Sequence, residues 1–332
     1  MDTVPVYVGL DYHQGGVQVC VMAADGRILG NRTVANEAEA IAEFVRRRGN
    51  RVTAAIEACT GSADLADELA LVAGWDIRLA HPGFVARMKQ TPDKTDWQDA
   101  RVLADLVRVG YLPVVWLAPE PIRDLRRVVR YRHQLVAERR ATKLRVRATL
   151  RDCRVKLPGN GWTRVWRTAL AKAELPQQAR WVIDRHLVRL EQLAAEIALT
   201  ETRLAELVRD DPGVQQLLTE RGIGLVTAAT LRAEVGRFDR FRSGKQLARY
   251  CGLSPRNASS GQRQADAGLI KAGNPQLRAV LIETAHRLVR LEPRWVELAK
   301  NLRENGKSGS VRAAAVANRW VRGLFHRMRA AS

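Results

Sequence analysis

The chain predicts an α/β domain at its N-terminus followed by an all-α remainder, and three observations carry that prediction. Between residues 4 and 79, short apolar runs alternate with helical patterns across Gly-, Asn- and Asp-containing turns. From Ile122 to Val208 two long helical patterns dominate, with a break at Pro158-Gly159-Asn160-Gly161. The 332 residues are 46% hydrophobic, enough for a real core, yet carry a net charge of +20. A chain this basic is drawn to a polyanion. It has no apolar run of about 18 residues to span a bilayer, and Val4-Pro5-Val6-Tyr7-Val8 reads as a strand rather than a signal peptide. Nucleic acid in the cytoplasm, associated with the nucleoid, is the expected partner, and no membrane. The four cysteines, Cys20, Cys59, Cys153 and Cys251, lack metal-site spacing and read as small buried hydrophobes.

The first strand runs from Val4 to Asp11, and His13-Gln14-Gly15-Gly16 turns into a second, Val17 to Met22. Ala24-Asp25-Gly26 leads tightly into a third, Arg27 to Val34. Asn36 is placed to cap a helix from Glu37 to Arg48. Val52 to Glu57 is a fourth strand, a helix follows from Ser62 to Ala73, and Trp75 to Leu79 is a fifth strand. Three hairpin-linked strands followed by alternating helices and strands describe an RNase H-like domain, residues 1–112. In that fold the first and fourth strands are parallel neighbours. Asp11 and Glu57 then emerge side by side at the carboxyl edge, where open α/β sheets place their sites.

Lys94-Thr95-Asp96-Trp97-Gln98-Asp99-Ala100 follows the turn Thr91-Pro92-Asp93 and opens an apolar-periodic run, Val102, Leu103, Leu106 and Val107. That is a helix start with acids in its first turn. Asp96 and Asp99 sit three apart, so both carboxylates leave one helical face. On its own such a pair complements the helix dipole; beside Asp11 and Glu57 it makes four acids. Like charges so gathered call for a cation, and a hard divalent ion takes oxygen ligands. Two such ions, about 3.5–4 Å apart, assist phosphoryl transfer. His13 and His81 are further site candidates, although a lone histidine is more often structural. Gly15-Gly16 also fits the phosphate turn of a sugar kinase, but no second α/β lobe follows and small-molecule chemistry needs no such charge.

Residues 120–211 form a helical middle. A basic helix from Ile122 to Leu157 holds 13 Lys and Arg against 3 acids over residues 123–156. Its stripe is Leu125, Val128, Val129, Leu135, Val136, Leu144, Val146 and Leu150. Trp162, Trp166 and Leu170 follow as a short amphipathic helix. A mildly acidic helix from Pro176 to Val208 carries Leu187, Leu190, Leu193, Ile197, Leu204 and Leu207 at near-heptad spacing. The two long helices are suited to fold back as a long antiparallel coiled coil. Dimerisation through the leucine seam and nucleic-acid binding by the arginine face are compatible uses.

The helical remainder, residues 212–332, opens with two helices joined through Gly222-Ile223-Gly224. This reads either as a helix-hairpin-helix-like element that meets a phosphate through backbone N–H groups or as an ordinary helix–helix turn. The loop Gly252-Leu253-Ser254-Pro255-Arg256-Asn257-Ala258-Ser259-Ser260-Gly261 exposes hydroxyls. Trp295, Trp320 and Phe325 are spaced for core packing, with base stacking the alternative.

Asp11 in V-G-L-D, Glu57 in A-I-E-A, and Asp96 and Asp99 in K-T-D-W-Q-D-A resemble the four acids of the DEDD (RuvC-like) transposases of bacterial insertion sequences, the IS-one-ten or Piv-like family. The likeness extends to G-L-x-P followed by Ser-Gly, and to Lys271-Ala272-Gly273-Asn274-Pro275. It implies a RuvC-like catalytic domain, a coiled coil joining protomers and a C-terminal transposase domain. It also implies Mg²⁺ on Asp11, Glu57, Asp96 and Asp99, with a serine nucleophile that fits Ser260 best and Ser259 next. DNA ends and target, an element-encoded guide (bridge) RNA and a homo-oligomer, dimer or tetramer, are the partners implied. A junction nuclease that uses water, and a non-catalytic nucleic-acid scaffold, are the alternatives. Because a serine needs activation, its loop is expected to reach the acids of its own or, preferably, a neighbouring chain.

Overall fold

Valine, isoleucine and leucine at alternate or consecutive positions build a six-stranded sheet in the computed structural model, which describes residues 4–88, 95–159, 161–257, 266–269 and 272–330. The chain divides into two compact units, residues 1–119 and 120–332. In the first, β1 (Pro5–His13), β2 (Gly16–Ala23) and β3 (Ile28–Val34) form an antiparallel meander. After α1 (Ala38–Arg46), β4 (Arg51–Glu57) pairs parallel to β1. Next come α2 (Ser62–Ala73), β5 (Asp76–Ala80), α3 (Pro82–Met88), α4 (Asp96–Arg108) and β6 (Val114–Val115). The strand order is β3-β2-β1-β4-β5-β6, so five strands follow the predicted RNase H-like arrangement and β6 adds an antiparallel edge. β6 and α3 escape the sequence reading because the first has two residues and the second buries only Val85.

Helices cover both faces of the sheet. Ile41 and Val45 of α1 and Leu65 and Leu69 of α2 pack on Val6, Val8 and Leu10, while Ala100 and Ala104 of α4 pack on Cys20 and Met22. This explains why β2 is buried from Gly16 to Met22 instead of alternating. The closest approach is at Gly9: a Cβ there would stand 1.9 Å from the Ala100 carbonyl oxygen and 2.5 Å from the Ala104 nitrogen. Only a glycine lets α4 lie directly on β1. Gly9→Ala is therefore expected to push α4 off the sheet and to cost about 3 kcal/mol, the upper range for overpacking. Thermal unfolding of the variant beside the wild type checks this; an unchanged midpoint contradicts it.

Two expectations need correction here. Asn36 does not cap α1: the helix starts after Glu37 with no side-chain cap, and Asn36 Nδ2 instead donates to the carbonyls of His13 and Gln14 at 3.4 and 3.5 Å. An Asn two residues before a helix has a nearby loop to satisfy as well as the helix end. Of the cysteines only Cys20 and Cys251 are buried, whereas Cys59 is exposed and Cys153 half-buried.

The second unit begins with α5 (Glu120–Asp152), followed by α6 (Arg164–Lys172) and α7 (Gln177–Leu207). α5 and α7 run antiparallel. Arg132 binds Glu201 at 2.6 Å, Glu138 binds Arg189 at 2.7 Å, and Val146 packs with Ile183 farther along. Leu193 and Ile197 are spent against Leu135, and Leu204 joins the core of the remaining helices with Leu125 and Val129. Half of the six-residue seam is thus consumed within one chain. Leu144 and Leu207, counted in the apolar stripes, are 52% and 40% exposed.

The remaining elements are α8 (Pro212–Leu218), α9 (Leu225–Val235), α10 (Gly244–Tyr250), β7 (Pro255–Asn257), β8 (Asp266–Leu269), α11 (Pro275–Leu291), α12 (Pro293–Glu304) and α13 (Gly309–Ala330). Trp295, Trp320 and Phe325 are core residues at 4%, 3% and 2% exposure, as their spacing predicts. The buried carboxylate of Glu234 accepts from Arg130 Nε at 2.8 Å and from Asn274 Nδ2 at 2.8 Å. Asn274 in turn caps α11, its Oδ1 accepting from Gln276 N–H at 2.9 Å. This hub ties α5 and α9 to the helix that follows the β7–β8 hairpin. Ser259, Ser260, Gly261 and Lys271 lie outside the described residues.

Candidate active site

Register fixes the first two acids. Leu10 pairs with Ile56 across the parallel β1–β4 ladder, so Asp11 and Glu57 are the next residues on neighbouring strands. β1 continues to His13, and residues two apart on a strand share a face. Asp11 and His13 therefore present their side chains together. Past Glu57 the chain turns sharply at Gly61, whose φ of +90° and contact with the Tyr12 ring exclude a side chain. That turn starts α2 and leaves Glu57 at the strand end.

The other two acids are carried by α4. Thr95 caps it, its Oγ1 accepting from Gln98 N–H at 3.3 Å. A chain of side-chain bonds holds the first turn to the sheet. Thr33 Oγ1 donates to Gln18 Oε1 at 2.6 Å, Gln18 Nε2 donates to Asn31 Oδ1 at 2.7 Å, and Asn31 Nδ2 donates to the Trp97 carbonyl at 3.0 Å. Gln18 is buried and stands opposite Asp11 in the β1–β2 register. The polar chain and the Gly9 contact thus bring the start of α4 to the end of β1.

Their meeting point is a cluster of Asp11, His13 and Asp96, one ligand atom from each lying within 4.8 Å of the others. His13 Nε2 is 3.3 Å from Asp11 Oδ2 and 3.4 Å from Asp96 Oδ1. The Asp11 carboxylate is largely covered, at 16% exposure, while that of Asp96 is open at 58%. Asp99 is buried. Burial raises the Asp11 pKa above its ordinary value; His13 opposes that rise, and the like charges of Asp99 and Asp96 add to it. Glu57 is half-buried and outside the three-residue cluster. Partial desolvation raises the pKa of the Cys59 thiol although the residue is exposed, hydrogen bonds with Ser62 lower it, and the charges of Glu57 and Asp11 both raise it. Glu57 and Asp11 therefore share one neighbourhood. Of the expected acids, the structure brings Asp11 and Asp96 together across His13, sets Asp99 within electrostatic reach, and leaves Glu57 on the adjacent strand end. His13 belongs at the centre, a placement that spacing alone signals once β1 is extended by two residues.

A raised folded-state pKa has a definite sign in stability. The folded chain holds the Asp11 proton more tightly than the unfolded one, so stability falls as pH rises from the ordinary Asp range through the raised value. Metal-free Asp11→Asn is expected to melt above the wild type at pH 7, with the gap closing as pH falls towards the ordinary carboxylate range. Thermal melts across pH in chelator test this; a variant that melts lower throughout contradicts it. Oxygen donors converging at this spacing, with repulsion left over, suit a divalent cation, and the imidazole adds a nitrogen donor.

The acids and the serine loop fall within separate family matches. A transposase family model of the IS110 DEDD type matches residues 8–154, and one described as the transposase IS116/IS110/IS902 family matches residues 214–300. A probable family 20 transposase of Pseudomonas aeruginosa is 30% identical over 82% of this chain and 82% of its own length. The transposase for insertion sequence element IS1328 of Yersinia enterocolitica is 28% identical over 81% of each chain. A putative transposase of Sinorhizobium fredii, y4qE, is 31% identical over 64% of this chain, which spans about half, 52%, of that relative. The solved RuvC of T. thermophilus, in complex with a Holliday junction substrate, matches 34% of this chain and 100% of its own at 16% identity, with a TM-score of 0.24. The two family matches and the Pseudomonas relative together settle the family: the chain belongs to the IS116/IS110/IS902 transposases of insertion sequences.

Proposed function

We propose that the chain cuts and rejoins insertion-sequence DNA, and the observation that carries this reading is the convergence of Asp11 and Asp96 at the carboxyl edge of an RNase H-like sheet. The residues fit Mg²⁺. Asp11 and Asp96 would bind it directly, Glu57 would add its oxygens, and buried Asp99 would serve as the outermost acid of the four. When bound, Mg²⁺ supplies electrostatic stabilisation of charge that develops on the scissile phosphate. The chain's own contribution is placement. His13 lies between the two carboxylates, the Gln18–Asn31 chain fixes the turn that bears Asp96, and Gly9 allows the helix to approach.

Ser260, with Ser259 the alternative, is the nucleophile in this reading. Its Oγ–P bond forms as one P–O bond to the sugar breaks, and the serine proton ends on the departing sugar hydroxyl. The family match over residues 214–300 and the Ser-Gly motif support this. The charge of +20 calls for a polyanion; membership of the transposase family supports DNA ends and target as that polyanion, with an element-encoded bridge RNA as guide, in the bacterial cytoplasm. Among the described residues no helix is long and apolar enough to cross a membrane. The α5–α7 pair is read as an antiparallel coiled coil that joins protomers of a homo-oligomer. With so much of the leucine seam buried inside one chain, that contact would use the outward faces, where Leu199 is 67% and Val188 40% exposed. Residues 1–112, 120–211 and 212–332 are then catalytic, joining and transposase segments.

The test is incubation of the protein with element-end DNA and Mg²⁺, followed by denaturing electrophoresis. A strand cut with protein attached supports the reading. A cut with no attached protein favours a water-using junction nuclease, and no cut under any divalent ion favours a scaffold.

A further inference from the structure

A cavity of about 550 Å³ opens among α5, α6 and α7, lined by residues of the second unit. Arg139 and Lys143, one turn apart on α5, line it with Arg167 of α6, Asp184 of α7 and Trp162 of the connecting turn. The cations here stand out from others on the same helices. Arg130, Arg132 and Arg189 are each paired with a carboxylate. Among the described residues, no ion pair is made by Arg139, Lys143, Arg147 or Arg167. The Lys143 pKa is pushed down, first by burial and then by Arg139, Arg167 and Arg147. Like charges gathered on one cavity wall favour an anion there.

Trp162 supplies the second feature. Its φ of +75° lies in the left-handed region, rare for a bulky residue. Its ring packs on Trp166 with centroids 4.8 Å apart, and Lys143 Nζ stands 5.2 Å from it. An unusual backbone thus holds an indole in the wall of a cationic cavity. Asp184 and Glu191 are also in the lining. Carboxylates would weaken a site for phosphate alone, but they accept hydrogen bonds from a base amino group or a sugar hydroxyl.

An anion with a flat, partly polar body meets all three wall chemistries. We propose that this cavity binds one unpaired nucleotide of a nucleic-acid strand, its base against Trp162 and its phosphate among Arg139, Lys143 and Arg167. A paired base is excluded because its faces are already stacked, and the cavity volume suits a single small unit. The proposal rests on the reading of the chain as a nucleic-acid enzyme, and goes beyond it by naming where an unpaired base is held.

Fluorescence anisotropy with labelled oligo(dT) and oligo(U) of equal length, on the full chain, tests it. Trp162→Leu is expected to weaken binding about tenfold, the scale of one stacked base, while Trp162→Phe stays within about threefold. Arg139→Gln combined with Lys143→Gln should flatten the slope of log Kd against log salt by about 0.7, for one single-strand phosphate contact. The arm that binds more tightly identifies RNA or DNA as the source. Photocrosslinks from 4-thiouridine or its deoxy analogue should map to the tryptic peptide of residues 157–164, which contains Trp162. Circular dichroism shows whether Trp162→Leu folds; if it does not, the doubly substituted variant and the crosslink decide. Unchanged affinity and salt slope, or crosslinks that fall only elsewhere, overturn the proposal. Pocket-dependent binding without any DNA cleavage by the wild type would keep the pocket and overturn the function reading instead.

Discussion

Asp11→Ala and Asp96→Ala each abolish strand cleavage, by a factor on the order of a thousand or more, and leave DNA affinity at or above that of the wild type. The size follows from what is removed. Charge stabilisation by a divalent ion is worth several kcal/mol, and each 1.36 kcal/mol is tenfold in rate. Loss of Asp11 takes away the most enclosed carboxylate of the cluster, and loss of Asp96 takes away the open one that faces it across His13. Affinity is spared because both changes remove negative charge, while the excess of basic residues lies elsewhere along the chain. Asp99→Asn is expected to act more mildly, in the range of about 10–100-fold that supporting partners of a metal site show. Buried Asp99 acts on Asp11 electrostatically and is not in the three-residue cluster. Cleavage assays and anisotropy on the same preparations check both halves. An Asp11→Ala chain that cleaves at the wild-type rate removes the metal site from the account.

Ser260→Ala is expected to eliminate the covalent protein–DNA adduct, with Ser259→Ala retaining it. A serine hydroxyl is a weak nucleophile until a base or a metal activates it, and the nearest histidine in sequence, His286, lies on α11 well past the loop. Dependence on the carboxylates follows, so Asp11→Ala should lose the adduct as fully as Ser260→Ala does. Mixing those two inactive chains asks whether one copy can lend its serine to the acids of another; restored adduct on the Asp11→Ala chain would say that it can. Adduct in Ser260→Ala alone moves the assignment to Ser259. Cleavage by the double serine variant would make water the nucleophile.

The acids were legible in the sequence because each sits where a local signal is strong. Asp11 ends an apolar run, Glu57 ends another, and Asp96 follows a capping Thr95. What brings them together was less legible, since long-range approach leaves no periodic trace. Gly9 carries no sequence mark that α4 lies on it. Nothing local in the sequence marks Gln18 as buried within a side-chain chain that crosses three elements. His13 was assigned to a turn because Gly15-Gly16 ends the strand pattern, yet the β1–β2 pairing runs on to His13 opposite Gly16. The near-heptad leucines of α7 suit a dimer seam as well as the fold-back onto α5, and the fold spends Leu193, Ile197 and Leu204 internally.

Iron-directed cleavage tests the central claim most directly. Fe²⁺ loaded in place of Mg²⁺ on the DNA-bound protein, with ascorbate and peroxide, generates hydroxyl radicals that cut the backbone beside the bound ion. The account predicts cuts near residues 11–13, 57–59 and 95–99, suppressed by excess Mg²⁺ and absent in Asp96→Ala. Cuts confined to other segments, or a pattern unchanged in Asp96→Ala, would contradict it.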